Sequence, residues 1–153
     1  MALPESKLIR GELILRDMQL TGEVKVTRNS LVRWLALALG FVSPNETRTA
    51  VIDALDALCY FQFKGTNPTV PELLEWMNSK GKKVGEKALR YHLWQLKKNG
   101  WLERSKGRYR FFMPPLADRQ DVAASIEAVI RSRSEVSLAK IKEALKSLKQ
   151  AYK

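Results

Sequence analysis

Midway through the chain the apolar residues change their period. From Glu86 to Lys98 they recur at helical spacing, with Ala88, Leu89, Leu93 and Leu96 on one face. Asn99-Gly100 then supplies residues that tolerate left-handed backbone and end the helix. Trp101-Leu102-Glu103-Arg104 and Arg108-Tyr109-Arg110-Phe111-Phe112 follow as two short extended runs around a Lys106-Gly107 turn, the pattern of a β-hairpin. Pro114-Pro115 closes the unit. A helix that runs into a tight hairpin constrains the fold more than any other stretch of the chain.

The same stretch holds most of the positive charge. Lys80 to Arg110 carries eleven Lys and Arg against two acids, Glu86 and Glu103, a net of +9 in a chain whose total is +11. Residues 1–79 sum to −1 and residues 111–153 to +3. Charge this localised is a footprint for a polyanion rather than a general aid to solubility.

With 153 residues the chain has the length of one domain, or of one small domain with appendages. It can bury about 68–70% of its unfolded surface. Four Trp argue against disorder. Cys59 is the single cysteine and cannot form an internal disulfide, so a reducing cytoplasm is expected. No apolar run approaches the roughly 20 residues of a membrane span. Glu5 and the lack of a continuous apolar segment near the N-terminus argue against a signal peptide. The expected setting is cytoplasmic and nucleoid-associated, with no membrane partner.

Around the central unit, residues 1–28 hold short apolar runs (Leu8-Ile9, Leu13-Ile14-Leu15, Val24-Lys25-Val26) broken by Gly11 and Gly22. They could be strands, or one helix and a strand; short β segments are the expectation. Asn29 or Ser30 caps a helix over about 31–39 that Gly40 stops. Being apolar almost all round, it should be buried or lie at a subunit interface. Ser43-Pro44-Asn45-Glu46 has the form of a capping box and predicts a helix start there. That helix continues through Val51, Ile52, Leu55, Leu58 and Cys59 and ends before Gly65. Thr69, with Glu72 three residues on, opens the next, which ends near Lys80-Gly81. Beyond residue 118, Val122, Ile126, Val129 and Ile130 form one stripe. Leu138, Ile141, Leu145, Leu148 and Tyr152 form another, with the alternating three-four spacing of a coiled-coil seam. A break is expected between Ser132 and Ser137.

The order of these elements, and above all ALRYHLWQLKKNGWLERSKGRYRFF from Ala88 to Phe112, resembles the winged helix-turn-helix superfamily over about residues 45–112. The resemblance implies a mainly α fold with a small β-hairpin wing. It divides the chain into an N-terminal extension (1–42), a DNA-binding domain (43–115) and a C-terminal helical dimerisation region (116–153). The implied recognition helix is about 86–98 and the wing about 101–112. The superfamily is the level of the match, and residues 1–40 have no counterpart in it.

The chemistry of the residues agrees with this reading. A helix fits the major groove, where each base pair shows a distinct donor and acceptor pattern. With the leucines inside, the outer face offers Lys83, Glu86, Lys87, Arg90, Tyr91 and Trp94. Arg90 is the best candidate for a bidentate contact to guanine. Lys82 and Lys83 can hold phosphates, and a hairpin carrying Lys106, Arg108 and Arg110 can lie along the backbone or dip into a minor groove; Lys98 and Arg104 are flanking candidates for DNA contact whose charge also fits simple solvation.

Plainer readings stand beside these. Arg90, Tyr91 and Trp94 also fit an ordinary solvated face, and Trp94 fits packing beneath a neighbouring segment. Cys59 reads as a small core residue, and Tyr60, Phe61 and Phe63 as core packing rather than ligand contacts. His92 is the only histidine and has no Cys, Asp or Glu cluster beside it, so neither a metal nor a catalytic role is expected. Gly81-Lys82-Lys83 lacks the spacing of a phosphate-binding Walker loop. No enzyme, metal or cofactor is expected.

The resulting expectation is a sequence-specific, double-stranded-DNA-binding transcription regulator acting as a homodimer. Leu138, Ile141, Leu145, Leu148 and Tyr152 would join two protomers so that half-sites lie ~34–36 Å apart. About six phosphate contacts per protomer would give a salt slope of roughly −5. The alternatives are a winged-helix module that binds protein or RNA, and an architectural DNA binder without sequence preference.

Overall fold

In a computed structural model that describes residues 2–153, five α-helices and one hairpin follow in the order α1 (Arg28–Ala38), α2 (Ala50–Lys64), α3 (Val70–Ser79), α4 (Glu86–Lys98), β1 (Leu102–Ser105), β2 (Arg108–Phe111) and α5 (Val122–Ala151). The protein is therefore mainly helical with a small antiparallel hairpin. The core gathers Leu55 and Leu58 from α2, Leu73 and Met77 from α3, Leu89, Leu93 and Leu96 from α4, and Trp101, Leu102 and Phe111 from the hairpin. Phe41 meets Trp101 edge-on at 5.3 Å between centroids, tying the segment after α1 to the start of the hairpin.

The helix boundaries follow their caps. The hydroxyl of Thr27, not Asn29 or Ser30, accepts from the Ser30 N–H at 3.1 Å, so α1 begins at Arg28, earlier than expected. Thr69 accepts from the Glu72 N–H at 3.3 Å and opens α3. The helix predicted from Ser43-Pro44 begins instead at Ala50. Ser43 accepts the Glu46 N–H through its backbone carbonyl, which makes a turn. The Glu46 carboxylate accepts from the Arg48 N–H ahead of it at 3.2 Å, rather than reaching back. Thr47 and Thr49 are β-branched, and their low helix propensity does nothing to extend α2 toward that turn. On α4, Ala88 lies on the exposed side, outside the stripe of Leu89, Leu93 and Leu96.

The hairpin pairs Leu102 with Phe111, Glu103 with Arg110, Arg104 with Tyr109 and Ser105 with Arg108. Its tip is two residues long, Lys106 at φ 53° and Gly107 at φ 76°. Left-handed backbone at both positions matches the strand twist but is costly for a lysine. The segment between α2 and α3 runs beside β2, with the Tyr109 N–H donating to the Pro68 carbonyl at 2.9 Å. Gln62, buried on α2, accepts from the Phe111 N–H at 3.1 Å and donates to the Arg119 carbonyl at 2.5 Å.

Residues 2–27 form no strands. They hold two 3-10 turns, Pro4–Leu8 and Val24–Val26, and between them an extended strap. The expected β segments are absent because the strap's partners are not another strand. Its Arg16 N–H donates to the Ala38 carbonyl at 2.9 Å, and its guanidinium to the carbonyls of Leu37 (2.7 Å) and Val42 (2.8 Å). The Ala38 and Leu37 carbonyls belong to the last turn of α1 and that of Val42 to the loop beyond it. The indole of Trp34 donates to the Gln19 carbonyl at 2.9 Å. With the strap alongside, Val32 and Ala36 of α1 are buried while its other apolar residues are part-covered.

α5 is one helix of 30 residues, not two. The expected break at Ser132–Ser137 does not occur: that stretch holds no Gly or Pro, and serine alone does not stop a helix. Val122, Ser125 and Val129 are buried, and beyond Arg133 every residue is exposed. Of the aromatics expected in the core, Phe61 is half-buried, whereas Tyr60 and Phe63 face water at the end of α2. Cys59 is half-buried on α2, and burial pushes its thiol up to about 12. Among the described residues no helix is long and apolar enough to cross a membrane.

Candidate nucleic-acid interface

Burial of Leu89, Leu93 and Leu96 fixes the rotation of α4 and leaves Lys87, Arg90, Tyr91, Trp94, Lys97 and Lys98 exposed. Tyr91 is 55% and Trp94 54% exposed, so Trp94 does not pack beneath a neighbouring segment. Gln95 donates to the Tyr91 hydroxyl at 2.8 Å, and the Lys98 ammonium stands 5.0 Å from the Trp94 ring centroid. Arg90 is exposed and lies 3.5 Å from Glu86, one turn earlier on the helix. An exposed pair of this kind is weak and leaves the guanidinium free to exchange partners.

The turn before α4 splits its two lysines. Lys83 is exposed. Lys82 points back toward α2, with its ammonium 3.7 Å from Asp53. Beside it Arg28 of α1 lies 3.2 Å from Asp56. Burial raises the Asp56 carboxyl above the usual carboxylate range, and the attraction of Arg28 and Lys82 offsets only part of that. Lys82, expected from sequence to hold a phosphate, is thus paired within the fold and braces α2 against the turn.

The hairpin's arginines also turn back on the protein. Arg110 meets Glu103 across the strands at 2.8 Å. Arg108, on the same face, donates to the Asn67 carbonyl at 2.8 Å and lies 3.3 Å from Glu72 of α3. Arg104 stacks over Tyr109, its guanidinium carbon 5.8 Å from the ring centroid. Among the described residues of the hairpin, Lys106 at the tip is the cation with no ion pair or ring contact. The hairpin's arginines are therefore partnered but exposed, as Arg90 is, and Lys106 stands at its end.

His92 is half-buried beside Tyr91, and burial lowers its pKa. No group of three or more His, Cys, Asp or Glu that could hold a metal occurs among the described residues. On α5, Leu138, Ile141, Leu145, Leu148 and Tyr152 are all exposed, from 46% to 80%, along one line.

Sequence reasoning missed a second cluster of cations. Arg133 of α5 donates to the Glu12 carbonyl at 2.7 Å and holds the strap against the helix. The trough that results, about 770 Å³, is lined by Arg10, Lys98, Arg133 and Lys140 together with Leu8 and Val136. Nothing local in the sequence groups these residues; only the long-range contact of Arg133 does. No family model matches the chain, and no curated protein or solved structure is detectably similar to it.

Proposed function

We propose that this protein is a double-stranded-DNA-binding transcription regulator of winged helix-turn-helix architecture. The observation that carries the reading is the exposed face of α4. Lys87, Arg90, Tyr91, Trp94 and Lys98 stand on a helix anchored by buried leucines, beyond a turn that carries Lys83. A helix of this width fits a major groove, and a guanidinium held only by an exposed carboxylate can exchange it for guanine. The order α2, the 66–69 segment against β2, α3, α4, hairpin supports the winged arrangement. The reading is one of binding at the chromosome, with no catalytic step. Two protomers pair through the exposed seam of α5, which has no cover within its own chain.

The partners of Arg104, Arg108 and Arg110 compete with phosphate at exposed positions, so the lysines without an ion pair set the floor of the contact number. Lys83, Lys87, Lys98 and Lys106 supply about four, so log K against log salt should fall with a slope of roughly −3 to −4 per protomer. A flat response sinks the reading. Selection from a random duplex pool should return a consensus, and Arg90→Ala should relax one base position at a cost of about 1–3 kcal/mol. A pool that returns no consensus favours the architectural alternative.

A further inference from the structure

The outermost line of α4 is built of rings as much as of cations. Lys87, Tyr91, Trp94 and Lys98 fall at i, i+4, i+7 and i+11, one face of a helix, opposite the buried leucines. The Tyr91 and Trp94 rings lie 6.5 Å apart with their planes 34° from parallel. Their own chain leaves both more than half exposed. In a closed duplex the groove presents base edges, and a ring there finds little beyond a thymine methyl. Flat exposed rings match base faces, which are reachable where bases are unpaired. Lys98, above Trp94, also lines the trough that holds Arg10, Arg133 and Lys140, and no carboxylate is among the described residues lining it. The charged line of α4 therefore continues past Trp94 into a cationic trough that the hairpin does not reach.

We propose that the C-terminal half of α4 and this trough bind single-stranded DNA at a boundary with duplex. Unpaired bases stack on Tyr91 and Trp94, and the strand's phosphates pass Lys98 to Arg10, Arg133 and Lys140. Lys83, Lys87 and Arg90, at the other end of the helix, remain on the duplex. The inference rests on the reading of α4 as a nucleic-acid face.

The test uses the full chain and four fluorescent probes: a blunt duplex, the same duplex with a single-stranded DNA tail, the tail alone, and the duplex with an RNA tail. The DNA-tailed duplex should bind at least about 10-fold tighter than the blunt one. Trp94→Ala should remove roughly 5- to 150-fold of affinity for the tailed probe and several-fold less for the blunt duplex. Trp94→Phe should keep the affinity but lose the quenching of tryptophan emission that stacking produces. Lys140→Ala should lower only the advantage of the tail. Equal affinity for blunt and tailed duplexes, or an equal loss on both from Trp94→Ala, overturns this inference and leaves the DNA reading intact. Quenching that persists in Trp94→Phe overturns the stacking. Tighter binding of the RNA-tailed probe overturns the assignment to DNA. Failure to bind any probe above competitor overturns the DNA reading as well.

Discussion

Two residues show how single positions hold this molecule together. Gly40 sits at φ 72°, and a Cβ there would meet the Ile14 Cβ at 2.5 Å. Gly40→Ala adds left-handed strain and a clash with the strap, together on the order of 1–3 kcal/mol, read as a lowered melting temperature. Ile14→Gly in the same protein removes the Cβ that the new methyl would strike and should recover part of the clash but not the strain. Asp56 is the second. Its carboxyl is raised by burial, so the folded state holds that proton more tightly than the unfolded chain. Its contribution is fully present below the unfolded pKa and is lost as pH rises through the folded one. The stability of the wild type relative to Asp56→Asn should accordingly fall as pH rises from below the ordinary carboxylate value of 3.8 through the raised folded one, as followed by denaturant melts. A constant difference across that range contradicts the shift.

Elements are joined here by side chains that bond to other elements' backbones. Gln62 is the clearest case, since one amide satisfies β2 and the segment before α5. Gln62→Leu leaves a buried N–H and a carbonyl unpaired and should cost about 2–4 kcal/mol in chemical denaturation. Arg108 acts similarly toward α3, from an exposed position where ion pairs contribute little. This division of labour marks what was legible beforehand. Helix α4 and the hairpin could be read because their periods and turn residues are local. The strap could not, because Arg16 is an unremarkable base until it meets the carbonyls at the end of α1. The start of α2 was misplaced because a capping box depends on the direction in which Glu46 points. The wing's arginines were visible as charge, but their partners Asn67 and Glu72 belong to other elements. The trough was hidden for the same reason: Arg10 and Lys140 are neighbours only in three dimensions.

At the scale of the whole molecule, a packed head carries a long helical arm. At ~1.5 Å per residue α5 is about 45 Å long, and beyond Arg133 every residue on it is exposed. Leu145→Lys places a charge in the middle of the exposed seam. On the proposed pairing the wild type should sediment as a dimer and this variant as a monomer at the same concentration, with the fold of the head unchanged. Duplex affinity should fall together with the salt slope as one protomer's contacts are lost.

Because α5 is unbroken from Val122 to Ala151, it transmits rotation as a shaft does. One residue inserted near Ser134 would turn the seam by about 100° relative to the head, which takes two paired heads out of phase on one face of a duplex. Seven inserted residues would return the seam to within about 20° while moving it outward by about 10 Å. In the proposed dimer, operators with re-phased half-sites should restore binding to the first variant, whereas the second should keep its angular phase.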